Sequence, residues 1–353
     1  MEQTIRPHTE SEPISIVFYL MPEFDLLAFA SATGVLHRAN RALGYLAYSW
    51  RTATNLQGTV TASCGTPVLA EMSLISGRKA LLNGSRPSMV VICAGDNADG
   101  HSTKGLEAWM RECRHHRVML AALGTGTQIL ASSGVLSNKS CAVHWQFRPG
   151  FSERFMDVDI KTSIYTIDDS IWTCSGSSAS LDMMLYLVGQ QFGPSVVSQI
   201  CEHALIERGR GPEEAQRVPF VKGGRLSNPT VLKLIQEMER TAGDPVPMSN
   251  LAKFVDRSRR QMERLFRREI GCSPSRYYLL LRLERAKMLL VQSDMPIIEI
   301  AVGCGFVSAS HFSKCFREVN GVTPQALRRS NANENRRLLS ESHGTNSKVR
   351  AFM

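Results

Sequence analysis

Residues 121–130 read AALGTGTQIL and place a tight turn where an α/β enzyme would hold its nucleophile. The run VMLAAL (118–123) is continuously apolar, as a strand buried on both faces must be, and TQILASSGVL reads as a helix with apolar positions at Ile129, Leu130 and Val135. Strand, tight turn and helix in that order lift the turn residue above the sheet and aim it at a helix N-terminus. Here the turn is Gly124-Thr125-Gly126, so the reactive position has no side chain. A covalent intermediate at residue 124 is therefore not expected, and no catalytic residue is assigned. A glycine there gives a ligand room beside the backbone N–H groups of the following helix, which favour a carboxylate.

Three other strand ends carry chemistry: MPEFD (21–25), AGDN (94–97) and AVHWQF (142–147). Glu23 and Asp25 could meet a cationic group or cap the next helix. Phe24, Trp145 and Phe147 could box a cation through their ring faces, or simply pack. His144 would be the base of a Cys–His pair in an enzyme; without a partner it is a ligand contact or a satisfied core histidine. The expected ligand site therefore comprises Glu23, Phe24, Gly95, Asp96, Gly124, Thr125, Gly126, His144 and Trp145. Ser175-Gly176-Ser177-Ser178 precedes the apolar LDMMLYLVGQQF and reads as a capped helix start rather than a nucleophile. The nine cysteines are scattered, with no Cys-x-x-Cys and no His-Glu-x-x-His, so neither a metal nor a cofactor is expected. They read as reduced, mostly buried thiols, Cys141 among them, on the opposite strand face from His144 by parity.

These turns need a sheet to hold them. ISIVFYL (14–20) reads as a strand and FDLLAFASATGVLHRANRAL (24–43) as a helix with apolar residues at Leu26, Leu27 and Ala30. SWRTATNL (49–56) and VTASCG (60–65) read as strands, SLISGRKALLN as a helix, SMVVICAG (88–95) as a buried strand and TKGLEAWMRECRHHR (103–117) as a helix. The alternation predicts an α/β domain with a doubly wound, mostly parallel sheet, which binds ligands beyond the carboxyl ends of its strands. The 353 residues allow two or three domains, and 43% hydrophobic with 21% charged residues is ordinary for a globular chain. No apolar run approaches the roughly 18–20 residues that cross a bilayer, and MEQTIRPHTESEP has no signal-peptide core, so a cytoplasmic protein is expected.

The charge is confined. Residues 228–330 hold 17 Lys and Arg against 10 Asp and Glu, and residues 331–353 hold 4 against 2, whereas the first 227 residues balance at 20 of each. A neutral domain joined to a basic one suggests a sensor or enzyme attached to a polyanion binder. The basic third also repeats itself: NLAKFVDRSRRQMERLFRREIGCSP (250–274) is echoed by EIAVGCGFVSASHFSKCFREVNGVTP (299–324), with Phe266, Gly271 and Pro274 matching Phe316, Gly321 and Pro324. Each copy reads as helix–turn–helix. Leu251, Ala252 and Val255 line the first helix of one copy, and Ile298, Ile300 and Ala301 that of the other. Ser258 and Ser308 cap the second helices, Ser258 with Gln261 at capping-box spacing. Met262, Leu265 and Phe266, and then Phe312, Cys315 and Phe316, mark the buried sides. Arg259, Arg260, Glu263 and Arg264 face out in one copy; Ala309, Ser310, Ser313 and Lys314 do so in the other, with His311 near the edge of that face. SPSRYYLLLRLERAKMLLVQSD joins them as a helix with an apolar stripe at Leu279, Leu283, Ala286 and Leu290. Two such helices on one connector fit successive major grooves of double-stranded DNA. The expected DNA-binding residues are Ser258, Arg259, Arg260, Gln261, Glu263, Arg264, Ser308, Ala309, Ser310, His311 and Lys314.

At this point residues 228–330 resemble the AraC/XylS-type DNA-binding domain, RLERAKMLL and IAVGCGFVSASHFSKCFRE included. The first part resembles the PfpI-like, class I glutamine amidotransferase-like fold, whose elbow carries a cysteine where this chain has Gly124; the surrounding Leu130-Ala131, Gly134-Val135-Leu136 and His144-Trp145 keep the pattern. Together they resemble the GlxA-type transcriptional regulators, and MPEFDLLAFASATGVLHRANRAL is similar to the opening of sensors for carnitine, glycine betaine or arginine. The resemblance implies an effector-sensing domain at 14–212, a linker at 213–229, a DNA-binding domain at 230–330 and a disordered tail at 331–353. It further implies a ligand-responsive activator of a catabolic operon: a homodimer on operator half-sites, a small amine, betaine or amino acid as effector, RNA polymerase as partner, and no membrane. The competing readings are an amidase- or glyoxalase-like enzyme tethered to DNA and a constitutive DNA-binding protein.

Overall fold

The computed structural model describes residues 12–216 and 228–331 and divides the chain into two compact units between positions 217 and 218. In the first unit seven strands form one sheet, in the order Tyr165–Asp168, Ile171–Cys174, Met119–Leu123, Met89–Cys93, Ile14–Leu20, Tyr48–Thr54 and Met72–Ser73. Every neighbouring pair is parallel except the first, a hairpin. The α/β fold is thus the doubly wound, mostly parallel sheet expected. Ile14–Leu20 is apolar but for Ser15 because both its faces are covered. Ile16, Phe18 and Leu20 enter one core with helices Leu26–Leu43, Ala179–Phe192 and Pro194–His203. Val17 and Tyr19 enter the other with Leu106, Trp109 and Met110 of helix Lys104–His115.

Several local expectations change. Only Tyr48–Thr54 joins the sheet; Gly58–Thr61 pairs with Pro67–Ala70 in a separate antiparallel hairpin. Thr59 and Thr61 of that strand are exposed while Val60 is buried, the alternation of a one-sided ribbon. In helix Leu26–Leu43 the buried stripe is Ala28, Ala32, Val35, Leu36 and Ala39, whereas Leu27 and Ala30 are exposed. Small residues bring that helix close to its neighbours, and Leu26 and Phe29, partly buried, pack against the same core. The strand at Cys141 ends at Ala142, so the parity argument linking it to His144 does not apply.

Residues 214–216, within the expected linker, are hydrogen-bonded to the first unit. The amide of Ile164 donates to the Glu214 carbonyl at 3.0 Å, and the Gln216 amide donates to the Thr162 carbonyl at 2.9 Å. Positions 217–227, most of the expected linker, lie outside the described residues, as do 1–11 and 332–353, which include all of the expected tail but Asn331.

The second unit is all helical: Pro229–Arg240, Met248–Phe254, Arg259–Ile270, Pro274–Gln292, Ile297–Gly303 and Ala309–Asn320. The connector Pro274–Gln292 serves two cores. Its Tyr277 and Tyr278 pack with Val231, Leu234, Met262 and Phe266; its Leu283, Ala286, Leu289 and Leu290 pack with Ile300, Ala301, Phe312 and Phe316. Pro229–Arg240, capped by Asn228, completes the first core. Ile298 is exposed, and Cys304 takes the buried place beside Ile300 and Ala301. Arg282 fastens the second turn to the connector. Its Nε and Nη2 each donate at 2.7 Å, to the carbonyls of Cys304 and Gly305, and its guanidinium lies 4.3 Å from the centre of the Phe306 ring.

The two turns solve one conformational problem with different residues. Gly305 has φ +72° and the corresponding Asp256 has φ +51°. A Cβ on Gly305 would fall 2.2 Å from Pro245 Cδ, so this glycine is required for its dihedral and for space. Gly305→Ala is expected to destabilise the second unit by about 1–3 kcal/mol, whereas Asp256→Gly should be neutral or slightly stabilising. Calorimetric unfolding of the two variants checks this, and equal effects would contradict it.

Candidate functional site

The strand register sets the site. Leu20 pairs with Cys93, Cys93 with Leu123, and Leu123 with Cys174, so four parallel strands end on one line. Ile14–Leu20 and Met89–Cys93 are also where the chain's winding reverses, and the crevice beyond such a pair is where doubly wound sheets bind ligands. The turns that follow, 21–25, 94–97, 124–126 and 175–178, therefore lie side by side.

Glycines let their backbones touch. A Cβ on Gly95 would fall 1.9 Å from the Glu23 carbonyl oxygen, and one on Gly176 would fall 2.9 Å from Gly124 Cα. Gly124 has φ +65°, and a Cβ there would lie 2.9 Å from the Ala94 carbonyl oxygen. Its missing side chain is thus taken up by close backbone contact and a left-handed dihedral, not by an open ligand space as the sequence suggested. The Thr125 hydroxyl donates to the Gly95 carbonyl and the Gly124 amide donates to the Cys174 carbonyl at 3.1 Å, closing the row.

Three expected ligand contacts, Phe24, Thr125 and Gly126, fall inside the protein. The Phe24 ring is fully buried and meets Phe29 edge-on at 5.9 Å, so it belongs to the core. Gly126 is buried against the strand, where a Cβ would fall 2.7 Å from the Ile92 carbonyl oxygen. Asp25 is a cap and a clamp. Its Oδ1 accepts from the Leu27 amide at 2.9 Å, and its Oδ2 accepts from the Ser177 amide at 3.0 Å and hydroxyl at 2.7 Å. Ser178 makes no side-chain cap bond, so the start of helix Ala179–Phe192 is held by Asp25 instead of by its own serine.

What remains on the surface is acidic and aromatic. Glu23 and Asp96 are exposed, and His144 and Trp145 are half-buried with ring centres 5.3 Å apart. Burial lowers the His144 pKa below its ordinary 6.5; Asp96 opposes that shift and Arg148 adds to it. The imidazole is therefore neutral near pH 7. A native pKa below the unfolded one means the unfolded chain binds the proton more readily, so this contribution to stability is complete above about pH 6.5 and is lost as the pH falls below it. The thiols nearest the elbow are shielded: Cys93 and Cys174 are buried, and burial pushes the Cys174 thiol up to about 12, away from the thiolate form.

One residue that sequence reasoning passed over joins this rim to the unit's exit. The Gln216 Oε1 accepts from the Trp145 amide at 2.8 Å, and its Nε2 donates to the carbonyls of Val143 at 3.0 Å and Ser163 at 2.9 Å. Upstream, Arg210 holds the buried Asp182 through its amide at 2.7 Å, Nε at 2.9 Å and Nη2 at 2.6 Å. Nothing local in the sequence marks Gln216, because its partners lie 53 to 73 positions away. Gln216→Ala leaves the Trp145 amide without its acceptor, a loss of about 1–3 kcal/mol. Hydrogen exchange should report about tenfold or greater acceleration at Trp145 with little change at Leu120, in the central sheet. Uniform acceleration would mean that the whole unit is destabilised instead.

In the second unit the two outer helix faces differ. The capping box at Ser258 is complete: the Ser258 amide donates to Gln261 Oε1 at 3.0 Å and the Gln261 amide donates to Ser258 Oγ at 3.3 Å. Ser258 and Gln261 are thus engaged in holding the helix. Ser308 likewise accepts from the His311 amide at 3.3 Å. Arg259 Nε pairs with Glu263 at 2.9 Å, which removes both from the list of unengaged groups. His311 Nε2 lies 3.3 Å from Cys315 Sγ. Arg260 and Arg264 are exposed on one face, and Ala309, Ser310 and Lys314 on the other. Glycines at φ +84° (Gly271) and +75° (Gly321) end both helices.

A ligand-type crevice on a wound α/β sheet, followed by paired helix–turn–helix units with a basic face, defines a DNA-binding regulator with a sensor-like first unit. Comparison with known proteins agrees. Residues 14–190 match the DJ-1/PfpI family and residues 251–330 match a helix-turn-helix domain. The HTH-type transcriptional regulator GbdR of Pseudomonas aeruginosa (strain UCBPP-PA14) is 36% identical over 319 residues, covering 90% of this chain and 85% of that protein. The regulator CdhR of Pseudomonas aeruginosa is 32% identical, covering 87% and 89%. GlxA of Rhizobium meliloti (strain 1021) is 29% identical, covering 89% and 95%. The chain belongs to the HTH-type transcriptional regulators, with a first unit of the DJ-1/PfpI family.

Guanidinium groups make bidentate contacts to guanine worth about 1–3 kcal/mol of discrimination each. Arg260→Ala or Arg264→Ala is therefore expected to relax base preference at specific operator positions. Lys314→Ala should weaken all sequences alike and reduce the salt slope by about one phosphate contact. Binding-site selection at two salt concentrations distinguishes them, and a reversed pattern would refute the assignment.

Proposed function

We propose that the protein is a ligand-responsive transcriptional regulator that senses a small amine, betaine or amino acid at the strand-end rim of its first unit. The observation that carries this reading is the rim's chemistry. Two exposed carboxylates stand at neighbouring strand ends: Asp96, which with the half-buried Trp145 lies beside an imidazole that burial keeps neutral, and Glu23, which lies 3.5 Å from His101 Nε2. Carboxylates and an indole face attract a cation, and a neutral histidine does not repel it. As an activator of a catabolic operon it acts as a homodimer on paired half-sites, with each second unit bound to DNA and RNA polymerase as its partner. The rim binds and the elbow does not react; the buried, high-pKa thiols of Cys93 and Cys174 and the bare Gly124 support that reading over an amidase- or glyoxalase-like one.

Titration calorimetry on the full chain with glycine betaine, carnitine and arginine tests it. A saturable site is expected for at least one of the three, with no turnover of amides or oxoaldehydes. Asp96→Asn and Trp145→Ala should each weaken binding about tenfold, the equivalent of about 1.4 kcal/mol. Unchanged affinity in both variants would remove the rim from the reading, and multiple turnover by the wild type would replace it with an enzyme.

A further inference from the structure

The first unit has a second concave feature, away from the strand ends. Helices Leu26–Leu43 and Pro194–His203 converge on a cleft of about 360 Å³ lined by His37, Arg38, Arg41, Ala42, Gln199 and His203. That volume lies within the usual small-molecule range of about 300–1,000 Å³. Four of the six lining side chains are cationic or become so on protonation, one is an amide, and none is a carboxylate. His37 begins 12 residues after the helix cap Asp25, roughly 18 Å along the axis, so the cleft shares no residue with the rim.

The cationic groups are placed by their surroundings. Arg38 is half-buried, and its Nη1 donates to the Gly34 carbonyl at 3.0 Å. A Cβ on Gly34 would approach that same Nη1 to 3.1 Å, so the glycine lets the guanidinium lie close along its own helix. Glycine in a helix interior is otherwise unfavourable. The remaining guanidinium N–H groups keep the planar fork that suits carboxylate and phosphate oxygens. On the facing helix His203 Nδ1 lies 2.7 Å from the Gln199 carbonyl oxygen. A carbonyl only accepts, so Nδ1 carries the proton and Nε2 is the ring nitrogen left for a ligand.

Basic residues near helix C-termini often just offset the macrodipole. Arg41 and His203 stand in last turns and fit that description. His37 and Arg38 stand further in, and the cations of two different helices meet over one cleft. We propose that this cleft is a binding site for a small polyanion, a metabolite with two carboxylate or phosphate groups that the Arg38 and Arg41 guanidinium groups divide between them. The Gln199 amide donates to its remaining oxygens, as does His203 Nε2 when the ring carries both protons, and Ala42 is the apolar contact. The site gives the sensor unit a second ligand class, opposite in charge to the first.

The test is calorimetry on the full chain with succinate, citrate, inorganic phosphate and pyrophosphate, at constant ionic strength held by NaCl. One saturable site is expected; the carboxylate and phosphate arms identify which source of anionic oxygen it takes. Arg41→Gln and His203→Gln, both at exposed positions, should weaken binding at least tenfold without lowering the melting temperature of the unliganded protein. Arg38→Gln should do the same, but its bond to Gly34 makes it the variant most prone to misfold, so the other two decide. Arg264→Gln, on the second unit, should leave the affinity unchanged, which separates the cleft from the basic helix faces. Equal binding by wild type and the cleft variants, or binding that NaCl reproduces, means an adventitious ion only and overturns the proposal. So does a change in oligomeric state by light scattering on Arg41→Gln, because the cleft would then be a contact between copies.

Discussion

Backbone against backbone at the strand ends is the contact on which the first unit's chemistry depends. Gly95 lies under the Glu23 carbonyl, and Gly124 meets both Ala94 and Gly176. A Cβ on Gly95 would push the turns apart by an ångström or more and one on Gly124 or Gly176 by several tenths of an ångström, because backbone atoms cannot rotate away as side chains can. Closing the turns this tightly turns Phe24 inward, leaves Glu23 and Asp96 outside, and requires Asp25 to reach across to Ser177. The surface chemistry of the rim is thus a by-product of how closely four loops approach.

This also explains what could be seen in the sequence. The strands and their ends were legible because strands buried on both faces are apolar runs, and glycine-rich turns interrupt them. Which turn residues face outward was not, since Phe24 and Glu23 are neighbours whose fates are settled by Thr61, Ser63 and Gly95 from elsewhere in the chain. Gly124 illustrates the limit: a missing side chain reads the same whether it makes room for a ligand or for a carbonyl. The helix–turn–helix units were the more legible part because their signals are local, a serine cap three residues before a glutamine, a glycine past the last turn, a phenylalanine on the inner face. Even there, the capping role of Gln261 and the Arg259–Glu263 pair give outward-facing residues a second engagement that the spacing alone did not show.

In the second unit a single helix belongs to two cores, and Arg282 ties it to the second turn as well. Neither helix–turn–helix unit can be repacked alone. A substitution such as Leu283 to a smaller residue would disturb the second core directly and reach the first through the connector's own backbone. The duplicated sequence therefore folds as an asymmetric pair: Pro229–Arg240 adds a helix to the first core, and the guanidinium of Arg282 buttresses the second.

The side chain of Gln216 has a thermodynamic meaning of its own. Fraying of residues 214–216 and loosening of the backbone at Val143 and Trp145 break the same hydrogen bonds, so they are one opening event and not two. A ligand that tightens the rim must lower the probability of that fraying, and anything that holds the exit segment down must tighten the rim by the same free energy, since linkage is reciprocal. The coupling needs no rearrangement of the sheet. Its currency is the fraction of time that three hydrogen bonds are broken.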